Sequence, residues 1–263
     1  MSSSRRQFLQ IASASVTGAA LGTALRADIP TLGMIFPPAN YPVPPEATLL
    51  YPSGVRFLAE GVGLEKMTAE EYDRVFVRIL PAAEKLAKQG ANAISVMGTS
   101  LTFYKGAEYE HQLKAQVTKL TGLPSTTMST GIVEGLKAVN ARKVAVATAY
   151  DEDVSHRLKV FLEESGFQVV SVKGLGIVSF KDRGPVTPDE LLNFSASVYE
   201  GAPKADALVI SCGALKTLEL IVPLEQRCKT PVVSSTPHAL WASVRLLGLS
   251  GHAPGYGTVL AKG

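Results

Sequence analysis

The sequence predicts an α/β protein of two similar lobes, each with a central parallel sheet flanked by helices and with the active site in the cleft between them. Two observations predict it. From Asp28 onward, short β-rich runs alternate with amphipathic helical stretches, the pattern of parallel strands joined by crossover helices. The series then starts again near Lys143, and the second round echoes the first. Ile94-Ser95-Val96-Met97-Gly98-Thr99-Ser100 is matched by Leu208-Val209-Ile210-Ser211-Cys212-Gly213-Ala214, and Pro124-Ser125-Thr126-Thr127-Met128-Ser129 by Pro231-Val232-Val233-Ser234-Ser235-Thr236. At 46% hydrophobic and 19% charged residues, the 263-residue chain has material for the cores of two lobes.

Taken in order, Thr31–Phe36 is the first strand, stopped by Pro37-Pro38. The Pro-rich stretch from Asn40 to Pro52 is expected to be irregular, a loop over the site. Thr68 is the expected N-cap of a helix, with Glu71 completing a capping box. An apolar face continues through Val75, Val77, Ile79 and Leu80 before Pro81 interrupts. Ala93–Met97 and Leu123–Met128 are buried strands, the second leading into a helix over 131–139. In the second round Lys143–Ala147, Phe167–Val172, Ala207–Ser211 and Pro231–Ser235 are strands. Helices fall over 154–165, 188–201 and 239–246, the second begun by Thr187-Pro188. The first lobe is therefore expected to take residues 28–139 plus 230–263, and the second 140–229.

Residues 1–27 read as a targeting segment. Ser4-Arg5-Arg6-Gln7-Phe8-Leu9 resembles a twin-arginine export signal, and the Ala/Gly-rich stretch behind it is too short for a membrane span. A periplasmic location and no membrane association after signal removal are the expectations. Three of the 26 basic residues (Arg5, Arg6, Arg26) lie in this acid-free segment, and the rest balance the 23 acids. Such neutrality gives no basic footprint for nucleic acid. Two cysteines are too few for a disulfide-stapled scaffold.

Three strand ends carry small polar groups: Gly98-Thr99-Ser100, Thr148-Ala149-Tyr150 and Ser211-Cys212-Gly213. Each follows an apolar run, so its hydroxyl or thiol emerges at a rim, and the neighbouring glycines let backbone N–H groups approach a ligand. Together they form neutral donors suited to a carboxylate or a developing oxyanion. Ligands of open parallel sheets bind beyond the carboxyl ends of the strands, which makes the cleft between the lobes the expected site. His111, His156, His238 and His252 have no ligand-like spacing, so no metal is expected. Gly174-Leu175-Gly176 lacks the third glycine of a dinucleotide motif. Asp151 is expected to cap the next helix, Trp241 to pack in the core, and Cys228 to be a bystander.

These motifs, with Gly33-Met34-Ile35-Phe36-Pro37-Pro38 and Pro231–Ser235, resemble those of the arylmalonate decarboxylase family, within the aspartate/glutamate racemase superfamily. The resemblance runs from about Thr31 to Tyr256. It implies a cofactor-free carboxy-lyase acting on a small dicarboxylate. Thr99, Ser100, Tyr150 and Gly213 would form an oxyanion hole, Cys212 would be the proton donor, and Pro38, Leu64, Met67, Tyr72 and Leu101 would line an apolar pocket. Racemases and maleate isomerases of the superfamily carry a second cysteine at the strand end where Gly98 stands here. Two other functions stay open at this point: a superfamily racemase or isomerase, and an exported carboxylate-binding protein.

Overall fold

The computed structural model describes residues 29–179, 181, 185–202 and 204–263. The proposed export signal lies outside them. Among the described residues no helix is long and apolar enough to cross a membrane.

Two four-stranded sheets form the frame. The first runs β2-β1-β3-β4, from β1 (Thr31–Phe36), β2 (Arg56–Gly61), β3 (Ala93–Val96) and β4 (Ser125–Thr127). The second repeats that order as β6-β5-β7-β8, from β5 (Lys143–Thr148), β6 (Gln168–Gly174), β7 (Ala207–Ser211) and β8 (Val232–Ser234). Every pairing is parallel. Strands β1, β3 and β7 are buried along their whole length, which is why they read as continuous apolar runs rather than alternating ones. The sequence echo is thus a structural one: β3 and β7 occupy the same place in their sheets, as do β4 and β8.

Ten helices flank the sheets among the described residues: α1 (Pro45–Leu50), α2 (Ala69–Phe76), α3 (Ile79–Lys88), α4 (Thr99–Phe103), α5 (Ala107–Thr121), α6 (Met128–Ala138), α7 (Glu152–Glu164), α8 (Pro188–Glu200), α9 (Ile221–Cys228) and α10 (Ser235–Leu246). Asp151 caps α7 by accepting from the Val154 N–H at 3.0 Å, and Thr187 caps α8 by accepting from the Glu190 N–H at 3.2 Å.

Four expectations need correction. Strand β8, expected in the first lobe, pairs with β7 in the second sheet. Helix α10 then crosses over and packs on β3, β4 and α6 of the first lobe. The Pro-rich stretch contains a helix, α1, because Pro45 stands at its first turn, where the missing N–H has no intrahelical role. Thr68 is the N-cap of α2 but makes no side-chain cap bond. Glu71 turns away to Arg74 at 2.6 Å and accepts from the Glu65 N–H at 3.1 Å, so no capping box forms. Val77 lies in the break between α2 and α3 and is 75% exposed rather than on the buried face.

His238 on α10 is fully buried, and its Nδ1 accepts from the Ser234 N–H at 3.0 Å. Burial lowers its pKa from the ordinary 6.5 to about 4. Below pH 6.5 the unfolded chain takes up a proton that the fold refuses until about pH 4, so stability falls with pH across that window by on the order of 3 kcal/mol. Urea midpoints of wild type and His238→Asn at pH 7 and 4.5 check this. The variant is expected to lose less stability on acidification; equal losses would clear His238.

Candidate active site

The carboxyl ends of the central strands open onto a cavity of about 340 Å³ between the lobes. Thr99, Ser100, Tyr150, Cys212 and Gly213 all line it, with Pro38, Leu64 and Met67 on the apolar side. Each position follows from the chain that precedes it: β3 delivers Thr99 and Ser100, β5 delivers Tyr150, and β7 delivers Cys212 and Gly213.

Cys212 is free and buried. Its φ of 153° lies in a region occupied almost entirely by glycine, a strain of about 1–3 kcal/mol. Desolvation pushes the thiol up to about 11, against the pull of the Ala214 N–H, the Tyr150 hydroxyl and the Leu215 N–H, which favour a thiolate. At neutral pH Cys212 is therefore a protonated thiol, with groups in place to receive its anion. Tyr150 is held well above the usual phenol range, first by burial and then by repulsion from Cys212 and Tyr72, so it stays a neutral donor.

The two strand ends are clamped alike. Ser129 Oγ donates to the Thr99 carbonyl at 3.1 Å, and Thr236 Oγ1 donates to the Gly213 carbonyl at 3.2 Å. These pairs occupy matching positions in the two echoed motifs. Between the lobes, Ser235 Oγ accepts from the Cys212 N–H at 3.1 Å and lies 2.8 Å from Thr99 Oγ1. A backbone bond from the Met67 N–H to the Val178 carbonyl (3.0 Å) joins the lobes at the cavity's lip, where Lys66 and Lys181 also stand. Tyr41, stacked on Phe36 at 4.6 Å, forms a further wall.

Two expected pocket residues do not line the cavity. Leu101 is fully buried on α4, one layer behind Gly98. Tyr72 is fully buried against Tyr104 at 4.2 Å; its hydroxyl turns toward Ser100 but has no partner within hydrogen-bond distance. Both lie behind the residues that line the cavity. Ser235 is the main residue that sequence reasoning missed, although it sits in the second echoed motif, opposite Met128 of the first. Among the described residues no cluster of His, Cys, Asp or Glu is placed to hold a metal.

Two parallel-sheet lobes, with one thiol and a set of neutral donors lining the cavity between them, define the α/β class of this protein. The chain belongs to the arylmalonate decarboxylase family, which it matches over residues 32–260. It is 43% identical to the arylmalonate decarboxylase of Bordetella bronchiseptica, over 88% of this chain and 97% of that protein. A Gly-to-Cys, Cys-to-Ser double mutant of arylmalonate decarboxylase, solved in its liganded form, superposes with a TM-score of 0.86 at 42% identity, covering 89% of this chain and all of that one. The maleate isomerase Iso of Pseudomonas putida S16 shares the fold, with a TM-score of 0.80 at 21% identity over 88% of this chain and 98% of that one. The protein is accordingly an enzyme of the carboxy-lyase class.

Proposed function

We propose that this enzyme removes CO2 from α-substituted malonates, arylmalonates among them, with a cradle of donors stabilising an enediolate and Cys212 protonating it. The observation that carries the reading is the Cys212 thiol in the wall of the cavity together with Thr99, Ser100 and Tyr150. One carboxylate of the substrate takes the hydroxyls of Thr99, Ser100 and Tyr150 and the N–H of Gly213. The other faces Pro38, Leu64 and Met67, where its charge is poorly solvated and is relieved by leaving as CO2. The electron pair of the broken C–C bond passes into the retained carboxylate, whose growing charge meets donors already aimed at it. Cys212 then gives its proton to the α-carbon. The thiolate left behind is received by the Ala214 and Leu215 N–H groups and the Tyr150 hydroxyl until solvent restores the proton. Lys66 and Lys181 at the lip favour entry of a dianion.

Incubating the protein with phenylmalonate and following CO2 release tests the proposal. Stoichiometric CO2 and phenylacetate are expected; phenylmalonate recovered unchanged would overturn it. We also propose that residues 1–27 direct export to the periplasm, on the strength of Arg5-Arg6 and the apolar stretch behind them. Protein recovered from the periplasm should then begin near Asp28.

A further inference from the structure

Ser235 is buried where the lobes meet, and two donors from opposite lobes converge on its hydroxyl oxygen. The Cys212 N–H reaches it from the second lobe at 3.1 Å and the Thr99 hydroxyl lies 2.8 Å away in the first. A hydroxyl has one proton and two lone pairs. The Cys212 N–H occupies one lone pair, so the Ser235 proton points elsewhere, and among the described residues Thr99 Oγ1 is its other hydrogen-bonding neighbour. Thr99 has only one proton as well. Without substrate its close acceptors are Ser235 Oγ and the thioether of Met128 at 2.9 Å, the latter a weak one.

We infer that Ser235 is a positioning residue that acts through Thr99: when Thr99 turns its proton to a substrate carboxylate, Ser235 reverses its bond and donates to Thr99 Oγ1. The chain then runs Cys212 N–H to Ser235, Ser235 to Thr99, and Thr99 to the carboxylate, each bond polarising the next. One serine so fixes the backbone that carries the thiol and strengthens the donor across the cleft. At the matching place in the other lobe stands Met128, which has no proton to give, so the device is one-sided. The inference rests on the proposed function in placing a carboxylate against Thr99.

Phenylacetate, which presents one carboxylate and loses nothing, is the probe, with affinity read by NMR titration for wild type, Ser235→Ala, Thr99→Val and the double variant. Thermal unfolding checks that each is folded. Ser235→Ala is expected to weaken binding about fivefold to tenfold, as loss of a hydrogen bond feeding a charged contact does. In the Thr99→Val background the same change should cost less than about twofold, because the residue it acts through is gone. Ser235→Thr, which keeps the hydroxyl, should bind like wild type. Equal losses in both backgrounds, or none in either, would overturn the inference and leave Ser235 a structural residue. Coupling present but no CO2 released from phenylmalonate would leave Ser235 in place and overturn decarboxylation alone. A wild-type protein that binds no carboxylate would overturn both.

Discussion

Replacing Cys212 with alanine is expected to lower kcat for phenylmalonate about 10²–10⁴-fold, the contribution of a positioned proton donor. The geometry adds a less obvious expectation: Cys212→Gly should be as inactive as Cys212→Ala, yet more stable. At the φ of 153° alanine keeps the strain of a Cβ, whereas glycine is at ease there. Glycine's extra unfolded-state freedom opposes this by about 0.5–1 kcal/mol, against about 1–3 kcal/mol of relieved strain. For a chain of this size the difference is a melting temperature higher by a few degrees, roughly 2–4 °C per kcal/mol. Calorimetry of the two variants decides it, and a glycine variant that melts below the alanine variant would show that the backbone carries no strain. In the wild type, activity should persist into alkaline solution and fall as pH rises through about 11, since only the protonated thiol can donate.

The two echoed strand ends sharpen the meaning of that strain. Cys212 holds a conformation suited to glycine, while its counterpart Gly98 has an ordinary extended φ of −141° that any residue adopts. Backbone preference alone would exchange the two residues. The proposed proton-donor role accounts for a cysteine at 212, and crowding accounts for the glycine at 98, where an added Cβ would stand 2.6 Å from Pro37 Cγ.

Much of this was legible in the sequence because it depends on local pattern. Buried parallel strands read as apolar runs, and the repeat of two motifs located both rims of the cleft. Strand β2 was missed because Arg56–Gly61 is exposed or half-buried and has no apolar run. Helix α1 was hidden by its prolines, which a first turn tolerates. The last strand follows the expected end of the second lobe and so reads as part of the first, although its echo of Pro124–Ser129 places it beside β7 as β4 lies beside β3. Tyr72 and Leu101 read as pocket wall because sequence order does not separate a wall from the layer behind it. Ser235 escaped for a different reason. A serine at a helix start looks like a local cap, while its real partner, Thr99, is 136 residues away.

Introducing a thiol opposite Cys212, by Gly98→Cys, is expected to change the product from one hand to a mixture. On the proposed mechanism the flat enediolate of the wild type meets a proton donor on one face only; with Gly98→Cys both faces meet one. The same variant should racemise a single enantiomer of a 2-arylpropionate, a reaction that needs a thiolate on one side to take the α-proton and a thiol on the other to return one. The crowding at Gly98 sets the cost. Pro37 Cγ at 2.6 Å and Leu101 Cβ at 3.0 Å leave no room for a Cβ without a shift of the Pro37 ring. Overpacking of this kind destabilises by about 1–3 kcal/mol. Pro37→Ala, which removes the colliding ring atoms, should restore part of that loss in the double variant and make the new thiol easier to seat. Chiral chromatography of the product from an α-methyl-α-phenylmalonate, with melting temperatures for wild type, Gly98→Cys and the double variant, measures both effects. A folded Gly98→Cys protein that still gives a single hand would mean that the face opposite Cys212 is closed to a donor, and that Gly98 serves packing against Pro37 alone.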